Sequence, residues 1–120
     1  MGKLDVLTEY QEQCLLVEYL EIKGYKFSKI AQETFTKSWA VKMRNKMSGL
    51  RRGVPDMIVI LPTKYGNQLL FIEMKRLTGG RTSPEQIEWI KELNQVPGVT
   101  AVEAHGYEQA RKIIESLLIN

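Results

Sequence analysis

The sequence has few of the residues on which disulfide-bonded and zinc-binding proteins depend: among 120 residues there is one cysteine and one histidine. Cys14 has no partner for an internal disulfide, and its apolar neighbours predict a buried thiol in a reducing compartment. No stretch approaches the roughly 20 apolar residues of a membrane helix. The early Asp5 and the absence of an apolar run beside it argue against a signal peptide. We therefore expect a cytoplasmic protein with no membrane partner.

Length and composition indicate one ordinary globular domain over residues 1–120, with 43% hydrophobic residues, 26% charged residues and a net charge of +3. The positive charge is concentrated between Thr34 and Arg52, where no acidic residue occurs. The six basic residues of this segment are Lys37, Lys42, Arg44, Lys46, Arg51 and Arg52. Such a segment suits a nucleic-acid backbone, but its charge alone fits a solvated loop equally well.

Apolar periodicity predicts a helix, three strands, a second helix, a fourth strand and a last helix. Three helices are predicted. The first covers residues 8–23, the second begins at Ser83-Pro84 and ends before Pro97, and the third covers residues 107–118. The predicted strands cover residues 25–30, 56–61, 68–75 and 99–104. We expect Pro62 to end the second strand, the second and third strands to form a hairpin, and the basic segment to contain no regular element.

Charged residues stand at the ends of two apolar strands, where they need an explanation. Asp56 begins one predicted strand, and Glu73 and Lys75 end the next. Residues two apart in a strand share a face, so Glu73 and Lys75 point the same way. In a hairpin the start of one strand lies beside the end of the other. The pattern therefore predicts that three charged groups converge at one edge of the sheet.

Two neighbouring carboxylates repel each other, and a divalent cation relieves that repulsion. Oxygen ligands with open water positions suit Mg²⁺ or Mn²⁺, and the Met74 carbonyl could add a further ligand. Such a cation lowers the pKa of a coordinated water, and Lys75 could orient that water. The alternative is structural: Asp56 caps a turn, and Glu73 pairs with Lys75 on an edge strand. Three such residues beside a basic segment favour a site.

The same residues resemble those of a known family. The matching motifs are Gly53-Val54-Pro55-Asp56, then Phe71-Ile72-Glu73-Met74-Lys75-Arg76, then Ser83-Pro84-Glu85-Gln86, with Arg51-Arg52 ahead of the first. Their order and spacing resemble the VRR-NUC branch of the PD-(D/E)xK nucleases over most of the chain. Met74 is a mild departure, because the family often has leucine at this position.

The resemblance implies an α/β fold, a PD-(D/E)xK nuclease core of order αβββαβ with a mixed sheet flanked by helices. It implies hydrolysis of DNA phosphodiester bonds with Mg²⁺ or Mn²⁺. Stand-alone members of the family come from bacteria and phages, are typically homodimers, and act on branched DNA such as four-way junctions. The resemblance thus implies a homodimer in the cytoplasm of a bacterial or phage-infected cell, with branched DNA as its partner.

The resemblance also implies two further catalytic residues, a glutamate on the first helix and a glutamine on the helix after the strand of Lys75. The glutamine is Gln86, which could also complete a capping box with Ser83. Both roles could coexist, although one side chain is not expected to make both contacts at once. The glutamate is assigned to Glu9, because Gln13 follows four residues later on the same face. Glu12 stays open as the alternative, as does a helix-dipole role for Glu9.

We therefore expect Asp56, Glu73 and Met74 to hold the metal and Lys75 to position water. The residues expected to contact DNA are Gln13, Lys42, Arg44, Lys46, Arg51, Arg52, Arg76 and Arg81. The single histidine, His105, is expected at the surface or in a turn, and not as a general base. Three alternatives stay open: a non-catalytic DNA-binding module, a nuclease for flaps, nicks or duplex DNA, and a nuclease acting on RNA.

Overall fold

A computed structural model describes residues 6–31 and 38–119, apart from the side chain of residue 119. Helices and strands follow the order α1 (Glu9–Lys23), β1 (Lys26–Lys29), α2 (Trp39–Met47), β2 (Met57–Thr63), β3 (Gly66–Lys75), α3 (Pro84–Leu93), β4 (Val99–His105) and α4 (Tyr107–Ile119). Within these two ranges, no helix is long and apolar enough to cross a membrane.

The strands form one mixed sheet in the order β1-β2-β3-β4. Neighbours β1 and β2, and likewise β2 and β3, are antiparallel, whereas β3 and β4 are parallel and are connected through α3. The predicted hairpin is confirmed, because Met57 pairs with Ile72 at one end of it and Thr63 pairs with Gly66 beside the turn. One step beyond the Met57–Ile72 pair, Asp56 lies opposite Glu73.

The hydrophobic core lies on the face of the sheet that α1 and α4 cover. Its fully buried members are Leu16, Leu20, Met57, Val59, Leu61, Leu70, Ile72, Met74, Ala104, Ala110 and Ile114. Because side chains alternate along a strand, Met74 in this core directs Glu73 and Lys75 to the opposite face. That face is covered by α3, where Asn94 Nδ2 donates to the Ala101 carbonyl at 2.9 Å and the Ala101 amide donates to Asn94 Oδ1 at 2.8 Å.

The basic segment contains a helix, so the prediction of no regular element there is wrong. The helix α2 follows Ser38, whose Oγ accepts a hydrogen bond from the Val41 amide at 3.3 Å. None of its residues is buried. Its apolar residues Trp39, Met43 and Met47 recur at helical spacing, and Trp39 and Met47 are exposed. Lys37 lies outside the described residues.

Two smaller predictions are also wrong. The strand β2 continues through Pro62 to Thr63. Because β1 pairs only with residues 57–60, the last part of β2 is a sheet edge, where a residue without an N–H is tolerated. The Cys14 thiol is exposed. The buried residues of α1 are Glu12, Leu16 and Leu20, and Cys14 lies on a different side of the helix.

Candidate active site

The Asp56 and Glu73 carboxyl groups meet where the hairpin opens. Asp56 directly precedes β2, and its Oδ2 accepts a hydrogen bond of 2.9 Å from the Met74 amide of β3. The neighbouring strand thus fixes the Asp56 side chain. Glu73 is only 5% exposed. The sequence prediction that these two residues converge at one edge of the sheet therefore agrees with their geometry.

The environment disfavours negative charge on this pair. Burial, and then the charge of Asp56, raise the pKa of Glu73 to about 8, although Lys75 opposes the shift. Burial also raises the pKa of Asp56, against the opposing effects of the Met74 amide and of Lys75. Glu73 Oε1 is buried and has no hydrogen-bond partner among the described residues. A nearby cation would satisfy such an oxygen and stabilise both carboxylates.

The available donors fit a hard divalent cation that keeps part of its water shell. Asp56 and Glu73 offer carboxylate oxygens, and the Met74 carbonyl stands next to Glu73 in the chain. Mg²⁺ and Mn²⁺ bind through one or two carboxylates and retain several waters. Within residues 6–31 and 38–119, no group of three or more His, Cys, Asp or Glu side chains is placed to hold a metal ion, so a closed zinc site is not formed there.

Lys75 is held against the carboxyl pair by the loop that follows β3. Its side chain is almost buried, and Nζ donates to the Arg81 carbonyl at 2.8 Å and to Gln86 Oε1 at 3.0 Å. The same Nζ lies 3.7 Å from Glu73 Oε2. Gly80 lies beside this side chain, and a Cβ there would be in ordinary van der Waals contact, 3.4 Å from Lys75 Cβ. An ammonium group has three protons, so a third N–H is available to a substrate or a water.

Gln86 serves the capping box and the site at the same time. Its Oε1 accepts from the Ser83 amide at 3.0 Å as well as from Lys75, and its Nε2 donates to Glu73 Oε2 at 2.8 Å. The expectation that one side chain would not make both contacts at once is wrong, because an amide oxygen accepts two hydrogen bonds while the amide nitrogen donates separately. The helix start thereby sets the position of Gln86 relative to Glu73 and Lys75.

The two candidate glutamates of α1 face different surroundings. Glu9 is half-buried, and its negative charge contributes to the raised pKa of Glu73 after the effects of burial and Asp56. Glu12 is buried, and its Oε1 accepts a hydrogen bond of 2.8 Å from the Tyr107 amide at the start of α4. Glu9 thus acts on Glu73, whereas Glu12 joins two helices.

The cationic residues predicted to contact DNA are all exposed. They are Lys42, Arg44 and Lys46 on α2, Arg51 and Arg52 ahead of Asp56, and Arg76 and Arg81 in the loop after β3. Gln13 differs from them, since it is half-buried on α1 and no described residue forms a hydrogen bond with its side chain.

Gly53 brings the Arg51-Arg52 segment against the start of α3. Its φ of +92° is a conformation that favours glycine, and a Cβ there would lie 2.6 Å from the carbonyl carbon of Glu85. Arg51 is fixed further by hydrogen bonds from its Nη1 to the Lys46 and Leu50 carbonyls, each 3.1 Å long. The arginines are therefore next to the helix turn that carries Gln86.

The sequence prediction missed a second polar cluster beside this site. Glu103 and His105 on β4 pair with Glu73 and Lys75 in the parallel register, so all four lie on one face. Glu103 accepts hydrogen bonds from the Thr82 hydroxyl and, at 2.8 Å, from His105 Nε2. His105 is the half-buried last residue of β4, not a turn residue. The available signal was a pair of ionisable residues two positions apart at the end of each of two strands, Glu73 and Lys75 on β3 and Glu103 and His105 on β4.

The sheet topology and the charged edge of the hairpin define a nuclease fold of the PD-(D/E)xK type. A solved structure described as a "VRR_NUC domain protein" shares this fold: it is 25% identical, with a TM-score of 0.72, over 97% of this chain and 92% of the other. The family model of the VRR-NUC domain matches residues 3–108. The chain therefore belongs to the VRR-NUC family and is a nuclease-type domain, which confirms the resemblance. No curated protein matches the chain.

Proposed function

We propose that the protein is a Mg²⁺- or Mn²⁺-dependent endonuclease that hydrolyses phosphodiester bonds in DNA. The observation that carries this proposal is the carboxyl pair of half-buried Asp56 and buried Glu73, with Lys75 held beside it. Two carboxylates repel a phosphate unless a cation lies between them. A module that only binds DNA would gain nothing from them, so the non-catalytic alternative is disfavoured.

Each residue of the site has a distinct role in this proposal. Asp56, Glu73 and the Met74 carbonyl would hold the cation, which when bound supplies charge stabilisation at the scissile phosphate and activates water. Lys75 directs its free N–H toward the attacking water or toward the phosphate oxygen on which negative charge develops. Gln86 keeps Glu73 and Lys75 in a fixed relationship, and Glu9 adds negative charge that favours the cation.

The exposed lysine and arginine residues support DNA as the substrate, because such side chains can contact backbone phosphates. We further propose branched DNA, in particular four-way junctions, and a homodimer that provides one active site for each of two cleaved strands. These two parts rest on the similarity to stand-alone members of the family.

The experiment that tests the proposal is a cleavage assay with purified protein on duplex, nicked, flap and four-way DNA and on duplex RNA. Cleavage of DNA should require Mg²⁺ or Mn²⁺, stop with EDTA and be fastest on the four-way substrate. Glu73→Ala and Lys75→Ala should each lower the rate by at least about 10²-fold while leaving DNA binding intact. Lys64→Ala, at the far turn of the hairpin, is the matched control. Full cleavage by the Glu73→Ala/Lys75→Ala double variant would contradict the assignment.

A further inference from the structure

The loop that connects β3 to α3 holds Lys75 in place, but little in its own sequence would keep it ordered. It runs through Gly79 and Gly80, which are the residues with the greatest backbone freedom. Gly79 has a φ of +79°, and the flanking Leu77 is 50% exposed. A loop of this composition needs fixed points at its ends if the Arg81 carbonyl is to meet Lys75 at a defined place.

Both ends of this loop are bound by one cluster on β4. At the start of the loop, His105 Nδ1 lies 2.9 Å from the Arg76 carbonyl oxygen. At its end, the Thr82 hydroxyl donates to Glu103 Oε2. His105 Nε2 closes the cluster with a contact of 2.8 Å to Glu103 Oε1. Arg76 and Thr82 are thereby tied to the same pair of side chains.

We propose that Thr82, Glu103 and His105 form a clamp that positions Lys75 for the reaction, by fixing both ends of the loop whose Arg81 carbonyl holds the Lys75 ammonium group. This clamp rests on the proposed nuclease function. Its three members are positioning residues, because they act through the loop and not on the substrate.

The electrostatics of the cluster agree with this role. Partial burial would raise the pKa of Glu103, but the hydrogen bonds from Thr82 and His105 outweigh burial and hold the pKa below its usual value. Glu103 is therefore a carboxylate that accepts from both partners. The Arg76 carbonyl is also an acceptor, so both nitrogens of the His105 ring face acceptor oxygens.

Besides its contacts with the clamp, the loop contacts the start of α4 through Leu77. Gly106 directly follows His105, and a Cβ there would lie 2.6 Å from Leu77 Cδ2. The Gly106 amide also donates to the Lys75 carbonyl at 3.1 Å. The main chain at the end of β3 is thus fixed independently of the clamp. Loss of the clamp should therefore release the loop and the Lys75 ammonium group without separating β3 from β4.

The clamp is tested with Thr82→Val, which removes the hydroxyl at nearly constant shape, and with His105→Phe, which keeps a ring but removes both nitrogens. Thr82→Ser retains the hydroxyl and is the matched control. Two readouts are needed: the NMR signal of the Lys75 ammonium protons in the metal-free protein, and the single-turnover cleavage rate at saturating DNA and Mn²⁺.

We expect Thr82→Val and His105→Phe to broaden or remove the Lys75 ammonium signal and to slow cleavage about 10- to 100-fold, with unchanged affinity for Mn²⁺ and DNA. Thr82→Ser should retain the signal and the rate. A wild-type ammonium signal in both clamp variants would overturn the clamp, and so would a loss of cleavage that follows a loss of Mn²⁺ affinity. If the wild-type protein cleaves no DNA, the proposed function fails, whereas the ammonium signal still decides whether the clamp positions Lys75.

Discussion

Gln86 and Lys75 are joined by a hydrogen bond of 3.0 Å, from Lys75 Nζ to Gln86 Oε1, and the same glutamine donates to Glu73 Oε2 at 2.8 Å. Through this one amide, the first turn of α3 sets the distance between a lysine and a carboxyl group at the end of β3. Helix capping and the geometry of the site therefore both depend on the Gln86 side chain. Comparison with a capping glutamine on another helix separates the two contributions.

Replacement of Gln86 by alanine should reduce cleavage about 10- to 100-fold, because Glu73 and Lys75 lose their common partner. The chain offers a matched control in Gln11, which completes the same type of capping box with Thr8 on α1. Gln11→Ala should cost a similar amount of stability, about 1 kcal/mol, and leave the cleavage rate unchanged. Single-turnover rates and thermal unfolding of the two variants check this prediction. Equal cleavage by both variants would refute a role for Gln86.

Metal binding should depend on pH through Glu73, whose pKa is raised to about 8 by burial and by Asp56. A cation binds the ionised carboxylate, so affinity for Mn²⁺ should rise by up to about tenfold per pH unit below pH 8 and level off above it. Calorimetry in two buffers of different ionisation enthalpy should detect proton release at pH 7. An affinity for Mn²⁺ that does not change between pH 6 and pH 8 would show that the pKa of Glu73 is not raised.

The stability of the metal-free protein should change with pH in the opposite sense. Because the folded state holds the Glu73 proton up to a pKa of about 8, its contribution to stability is complete below the usual pKa of 4.5 and is lost as pH rises toward 8. Unfolding of the wild type and of Glu73→Gln in denaturant, between pH 5 and pH 8.5, measures the difference. Glu73→Gln should not lose stability in this way as pH rises. If the free energy of unfolding changes with pH equally in both proteins, the pKa of Glu73 is not raised.

The two glutamates of α1 should separate into a site residue and a structural residue. Glu9→Ala removes a negative charge that acts on Glu73, so it should lower the pKa of Glu73 and weaken metal-dependent cleavage about tenfold with little effect on stability. Glu12→Ala leaves the Tyr107 amide without its partner and should destabilise the fold by about 1–3 kcal/mol. Cleavage kinetics and unfolding curves distinguish them, and a reversed pattern would make Glu12 the site residue.

Gly53→Ala should destabilise the protein and disturb the site, because its Cβ would lie 2.6 Å from the Glu85 main chain in a conformation with φ of +92°. Gly66→Ala is the control: φ is +101°, but no atom lies within 4 Å of the added carbon. Both variants carry backbone strain of about 1–3 kcal/mol, and only Gly53→Ala should also reduce cleavage. A wild-type rate for Gly53→Ala would show that the contact between the arginine segment and α3 does not matter.

Strong local patterns were enough to predict most of the elements and the meeting of Asp56 with Glu73. The hairpin follows from two apolar runs joined by a turn, and the alternation of side chains places Glu73 and Lys75 on one face. What the patterns could not predict depends on partners distant in sequence. The prediction also missed α2, although Trp39, Met43 and Met47 recur at helical spacing within its nine residues. The cluster of Thr82, Glu103 and His105 arises only when β4 lies beside β3.

Calorimetric titration of the purified protein with Mn²⁺ at pH 8 shows whether Asp56 and Glu73 form a divalent-cation site. We expect saturable binding in the wild type that Asp56→Asn removes while the thermal unfolding of the variant stays cooperative. Binding of equal affinity in Asp56→Asn, or no saturable binding in the wild type, would contradict this expectation.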